Sequence, residues 1–352
     1  MKRILIKLVI FAVGFVLIFV VCQRVLRYKW SVNGGNYSEN IDYAALSPES
    51  IDVLCFGTSE IWAGYHPIIS YEQKGITGYN LGTSFRSAIT VYYQLLYALK
   101  YQTPQIVICD FASLYEDQLP SDEEPLYRKI VDCMPDKDIK SALINDICRV
   151  DGSQSYLDWK FPILRYHSRW SELESGDFTE DYRKGERCAF FRKGAFFCDN
   201  VYDDGTYAIT PELWDYSTEE STYSEISLEY YSKFIDECVT RGIKVVAVVP
   251  PKIGDASLAA SRWNSMKSYF DSKGVDYLNY NNYEQVQRMN LSVEKNYYDE
   301  DHLNNMGATI FSKVLAEDLD AKYDLPDHRG DEGYKAEWED ALEEFYEIYP
   351  RE

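Results

Sequence analysis

The chain has 352 residues, 46% hydrophobic and 26% charged, a composition that buries a core and excludes disordered, collagen-like and low-complexity classes. Lys and Arg number 36 against 57 acidic residues, a net charge of −21, so nucleic acid is not an expected partner: the surface repels phosphates. The 31 tyrosines, with 7 Trp and 16 Phe, suit either a large aromatic core or the wall of a half-wet glycan groove.

Leu8 to Cys22 is an unbroken apolar run, and Ile4 to Ile6 extend it past Lys7. About 20 apolar helical residues cross a hydrocarbon core, so residues 4–22 read as a transmembrane helix within an anchor of residues 1–30. No small-x-small cleavage site follows the run, which favours an uncleaved anchor over a removed signal peptide. Lys2, Arg3 and, within the first turns of the span, Lys7 lie at one end, and Arg24, Arg27 and Lys29 follow the other, so flanking charge leaves the orientation nearly tied. A long C-terminal part translocates largely regardless of such charge, and the expected location is a single-pass membrane protein with its large domain extracytoplasmic. The apolar run is expected to pack on nothing else in the chain.

A polar juxtamembrane linker, residues 31–50, leads into alternating strand and helix patterns. Strands are expected at Ile51–Phe56, Gly78–Leu81, Gln105–Phe111, Ile243–Val249 and, more weakly, Val275–Tyr280. Helices are expected at Ser87–Tyr101, Ser224–Arg241, Asp255–Lys273 and Asn305–Tyr323, the second and third closed by Gly242 and Gly274. Continuous apolar strands separated by helices imply an α/β fold whose parallel sheet is covered on both faces. This domain spans residues 51–325, interrupted at about 114–221 by a helical and irregular insertion carrying Trp159, Trp170 and Trp214. The insertion is placed to serve as a lid or groove wall. In residues 326–352, ten acidic and three basic residues give 3 − 10 = −7, while Trp338, Leu342, Phe345 and Tyr349 share one helical face. That pattern is an amphipathic helix packed on the domain, with an acidic side in water.

Cys55 and Cys109 lie in apolar strands and read as core residues, while Cys188 and Cys198 flank a hairpin-like segment and leave a disulfide open. No cysteine or histidine cluster has zinc spacing, so neither a metal nor another cofactor is expected.

Two segments carry chemistry. The first strand delivers Phe56-Gly57-Thr58-Ser59-Glu60, which puts a serine at the C-terminal lip of the sheet, beside a helix N-terminus. Near the chain's end, Tyr297-Tyr298-Asp299-Glu300-Asp301-His302 places an acid and an imidazole three residues apart, able to converge on one point. An aspartate that orients a histidine, which in turn deprotonates a serine, is the logic of nucleophilic acyl transfer. Of the other histidines, His167 reads as a packing residue and His328 has no evident role.

The two segments together resemble the SGNH (GDSL-like) hydrolase superfamily, with its flavodoxin-like α/β/α sandwich, serine after the first strand and D-x-x-H block. The resemblance implies Ser59 as nucleophile, His302 as base and Asp299 as its orienter. Gly82, in Tyr79-Asn80-Leu81-Gly82-Thr83-Ser84, matches the family's glycine block, implying an oxyanion hole from the N–H groups of Ser59 and Gly82. The asparagine usual after the third strand is missing; Cys109-Asp110-Phe111-Ala112-Ser113 stands there. Ser84, Arg86 and His66 are the candidate substrate contacts, with Ser84 or Arg86 as replacement oxyanion donors.

The anchor, the Gly57-Thr58-Ser59 motif and His66-Pro67 are also similar to membrane-anchored Gram-positive SGNH-like proteins. These include the esterases of the lipoteichoic-acid D-alanylation system and partners of membrane-bound O-acyltransferases. This implies a serine esterase or O-acyltransferase acting on acylated surface polysaccharide or teichoic acid, with a membrane-bound O-acyltransferase as partner and the bilayer holding the anchor. The alternative is a non-catalytic glycan-binding or assembly protein of the same fold that partners a membrane acyltransferase.

Overall fold

The computed structural model describes residues 2–27, 36–84, 86–115, 118–178, 190–202, 205, 207–214, 218–254 and 260–350. Five short strands, β1 (Val53–Phe56), β2 (Gly78–Asn80), β3 (Ile106–Cys109), β4 (Lys244–Val249) and β5 (Asp276–Asn279), fall within the five expected segments. The helices, in chain order, begin with α1 (Lys2–Leu26), α2 (Asn36–Ala44), α3 (Ser59–Gly64), α4 (Pro67–Lys74) and α5 (Ala88–Ala98). Then come α6 (Glu124–Cys133), α7 (Lys137–Val150), α8 (Tyr156–Lys160), α9 (Pro162–Tyr166), α10 (Glu225–Thr240) and α11 (Ala260–Lys273). The last are α12 (Tyr283–Arg288), α13 (Val293–Asn296), α14 (Asn305–Tyr323) and α15 (Glu332–Ile348). The start of the helix expected from Asp255, and Cys188 with its disulfide, lie outside the described residues.

The chain divides into two compact units, one of residues 1–40 with 119–186, the other of residues 41–118 with 187–352. The stretch from 114 to 221 is thus shared between them.

In the larger unit all strand pairs are parallel and run in the order β2-β1-β3-β4-β5. Alternation along each strand explains why both faces are apolar. Val53, Cys55, Ile106, Ile108, Val246 and Val248 join one cluster with Phe311, Leu315 and Leu319 of α14. Phe56 points the other way, edge-on to Phe234 of α10 at 5.6 Å. This is the flavodoxin-like α/β/α sandwich, and its order reverses between β1 and β3.

Ser87 and Ser224 cap α5 and α10 by accepting from Thr90 N and Ser227 N, so each helix begins one residue inside its expected bound. α15 buries Trp338, Ala341 and Phe345 and keeps its acidic side in water, as its periodicity requires. The Trp338 ring lies 5.1 Å from Tyr71 of α4, and Lys193 Nζ lies 4.7 Å from its centre. His328 ties the approach to α15 back to the sheet, 3.2 Å from Asp52 and stacked on Tyr334 at 4.1 Å.

In the smaller unit α1 is long and apolar enough to span a membrane. It does not stand wholly apart from the rest of the chain, contrary to expectation. Its side chains are bare to Ile18, but Phe19 packs edge-on against Phe161 at 5.8 Å, and Leu26 is buried. Gln23 Oε1 accepts from Ile163 N at 2.7 Å, and Arg169 donates to the Leu26 and Arg27 carbonyls at 2.9 and 3.1 Å. Those carbonyls are the ones a helix end leaves without intrahelical partners. Trp159 is buried here under the Arg128 guanidinium, 4.0 Å from the ring centre, and His167 is exposed, bonded to the Leu164 carbonyl.

Candidate active site

The site begins where β1 and β3 end side by side, with Phe56 opposite Cys109. Gly57 follows with φ 140°, a conformation that L side chains rarely adopt, and a Cβ there would lie 2.4 Å from the Asp110 carboxyl carbon. Glycine is required here both to turn the chain and to admit that carboxylate. Asp110 Oδ2 accepts from Thr58 N and from Thr58 Oγ1, both at 2.7 Å, while Oδ1 accepts from Ala112 N at 3.1 Å. Thr58 in turn caps α3 by accepting from Glu60 N. The turn that presents Ser59 is therefore held from beneath by a carboxylate just past the end of the neighbouring strand.

Phe111, next after Asp110, takes a left-handed φ of 51°, which costs a non-glycine residue of order 1 kcal/mol. Its ring sits 4.7 Å from both Tyr231 and Phe270, and this packing holds the backbone in place.

The second segment arrives through an antiparallel bridge between Tyr297 and Leu303. Tyr298 N donates to the His302 carbonyl at 3.1 Å, and Asp301 N to Asp299 Oδ1 at 2.9 Å, closing a tight loop. His302 Nδ1 lies 2.7 Å from Asp299 Oδ1, and Nε2 lies 2.7 Å from Ser59 Oγ. With Nδ1–H donating its hydrogen bond to the carboxylate, Nε2 is the acceptor for the serine hydroxyl. Tyr298 stacks parallel to the imidazole, with ring centres 5.1 Å apart. Burial is the largest single influence on the Asp299 carboxyl and raises it, but the hydrogen bond and charge of His302, together with the Asp301 and His302 N–H groups, outweigh it and hold the group below its ordinary range.

Ser59 and His302 open into a cleft of about 340 Å³ whose wall includes Asp110, Tyr115, Lys252, Arg262, Trp263 and Met266. Lys252 Nζ is 2.9 Å from Glu60 Oε1 and 3.7 Å from Asp301, linking the serine helix to the histidine loop. Tyr115 and Trp263 make the aromatic wall. Tyr115 lies at the start of the insertion, whereas the insertion's Trp214 is buried away from the cleft, donating to Asn281 Oδ1.

Other expected site residues are used elsewhere. The Gly82 N–H donates to Asn80 Oδ1 at 2.9 Å, so in this structure it is not offered to a substrate oxygen. Asn80 is fully buried and also donates to the Ile61 and Tyr65 carbonyls, which makes it the tie between β2 and α3. Gly82 is glycine because a Cβ would press on Trp62 at 3.0 Å. Arg86 is 1% exposed and does not line the cleft; its charge opposes the burial that pushes the Cys55 and Cys109 thiols well up. Ser84 is half-buried and likewise off the cleft wall. His66 is a core residue, fully buried, stacked on Phe197 at 4.0 Å and pushed by burial down to about 3, so it is neutral.

Asp110 and Lys252 are site residues that the sequence pattern did not single out. An acid flanked by Cys109 and Phe111 at the end of an apolar strand was a signal for the first; Lys252, after two prolines, carried almost none.

The fold and this cluster define a flavodoxin-like α/β/α protein with a hydrogen-bonded Ser–His–Asp group at the C-terminal edge of its sheet, at the switch point. No family model matches the chain, and no curated protein matches it. Among solved structures it is similar to a "putative acylhydrolase" of Bacteroides fragilis, with TM-score 0.36 and 10% identity over 81% of this chain and 94% of that one.

Proposed function

We propose that the protein is an SGNH-type serine hydrolase or acyltransferase, working outside the cytoplasm on acyl groups of surface polysaccharide or teichoic acid. The observation that carries this reading is the continuous path from Ser59 Oγ through the imidazole to Asp299, with 2.7 Å at each link. In this reading Ser59 Oγ attacks the acyl carbonyl while its proton passes to His302 Nε2, and the imidazolium formed is stabilised by Asp299. His302 then returns the proton to the leaving alkoxide, which departs and leaves an acyl-serine. Water or a sugar hydroxyl, deprotonated by His302, takes the acyl group and restores the enzyme. The Ser59 N–H, in the first turn of α3, serves the oxyanion. With the Gly82 N–H engaged by Asn80, the hole is one donor short, and one donor typically accounts for about a hundredfold or more in rate. Slow turnover follows.

The same Gly82–Asn80 bond favours the second reading, a non-catalytic glycan-binding or assembly protein that partners a membrane acyltransferase. The test is labelling of the full chain in detergent by a fluorophosphonate. Labelling of wild type, abolished by Ser59→Ala and by His302→Ala and reduced less by Asp299→Asn, is the expected result. Equal labelling of wild type and Ser59→Ala, or none at all from folded protein, would overturn the enzyme reading in favour of the second.

A further inference from the structure

α1 is bare on every side from Ile4 to Ile18, 15 residues or about 22 Å at 1.5 Å per residue; beyond that Val20 and Val21 stay exposed while another face is covered. A hydrocarbon core is about 30 Å thick. If α1 crosses it, the next turns must also lie within that core or at its edge. Those turns are covered by protein on one face only, with Val20 and Val21 left exposed: Phe161 sits on Phe19, and Ile163 N is bonded to Gln23. The segment around α9 is thereby held at the depth where the span leaves the hydrocarbon.

The residues that surround this junction have the character such a depth selects. α9 and the two single turns after it, His167–Ser171 and Ser175–Phe178, all pack against the end of α1. Each presents a large apolar side chain outward: Leu164, Trp170 at 73% exposure and Phe178 at 63%. Within the same segment Arg169 is fixed by the α1 carbonyls and by Asp177, so the exposed rings ride on a braced frame. Trp beside Arg, with apolar neighbours, is the composition found where a protein meets the headgroup boundary.

We infer that residues 161–178 form a second membrane contact, in which Leu164, Trp170 and Phe178 insert into the headgroup and acyl boundary of the leaflet into which the C-terminal end of α1 emerges. The occupant of this apolar surface is the bilayer itself, continuous with that around the span. The inference rests on α1 being a transmembrane helix, and the experiment separates the two. A benzophenone side chain is placed at Ile10, Leu164, Trp170, Phe178 or Val239 of the full chain, reconstituted in phosphatidylglycerol–phosphatidylethanolamine nanodiscs. Val239 is an exposed apolar residue of the other unit and reports non-specific capture. After irradiation, lipid adducts are read by mass. Adducts at Ile10, Leu164, Trp170 and Phe178, and none at Val239, are expected. Adducts at Ile10 alone leave the span intact and overturn the second contact, as does a yield at Val239 equal to that at Trp170. Absence of adducts at Ile10 overturns the span, and the inference with it.

Discussion

Asp110 carries both the geometry of the serine turn and a pH response. Burial, reinforced by the charge of Glu60, pushes its carboxyl up to about 6, although three hydrogen bonds oppose the shift. A carboxyl raised on folding binds more protons in the native state than in the unfolded one between about pH 4 and 6. Its contribution to stability is therefore complete below about pH 4 and is lost as pH rises through about 6, by roughly 3 kcal/mol. Asp110→Asn should flatten that part of the stability–pH curve, measured by urea unfolding from pH 4 to 7, whatever its effect on absolute stability. An unchanged slope would show that the group is not shifted. Asn80 is a different kind of residue. Its amide satisfies buried carbonyls and the Gly82 N–H together, so its role in packing and its effect on the oxyanion hole are inseparable.

Among the elements, α1 shows how one helix answers to two environments. To Ile18 it is bare all round; from Phe19 one face joins a protein interface while Val20 and Val21 stay exposed. A fragment beginning at Phe19 keeps the Phe161 contact and the Gln23 bond to Ile163 N, whereas one beginning after residue 30 loses both. The shorter fragment should be less stable by about 1–3 kcal/mol, the cost of a lost hydrogen bond with exposed apolar surface, read as a lower Tm in mild detergent. Equal melting temperatures would sink the claim that the end of α1 is structural. α15 needed no such environment. Its apolar spacing matched the surface beneath it: Trp338 packs on Tyr71 of α4, and Phe345 on Phe191 and Phe197.

At the scale of the whole molecule, the two compact units are expected to unfold separately rather than in one step. Trp338→Ala, in the larger unit, removes a fully buried ring and should cost about 3–5 kcal/mol. Calorimetry of the detergent-solubilised chain should show one transition lowered and the other unmoved; a single transition shifted as a whole would mean the units are thermodynamically one. The periodicity of apolar residues was enough to locate five strands, the capped helices beside them, the long apolar N-terminal helix and the amphipathic C-terminal helix, because that pattern is local and records which face meets the core. Ser59 and the Asp299–His302 pair were legible for a related reason: each sits in a short segment whose chemistry is unusual by itself. Tertiary structure alone decided that Gly82 answers to Asn80, that Asp110 lies under Gly57 fifty-three positions away, that His66 and Arg86 are interior, and that Phe161 closes on Phe19. Such pairings join segments distant in sequence, and which side chains meet depends on sheet order and on how closely a backbone lacking a Cβ can be approached, neither of which leaves a periodic trace in the chain.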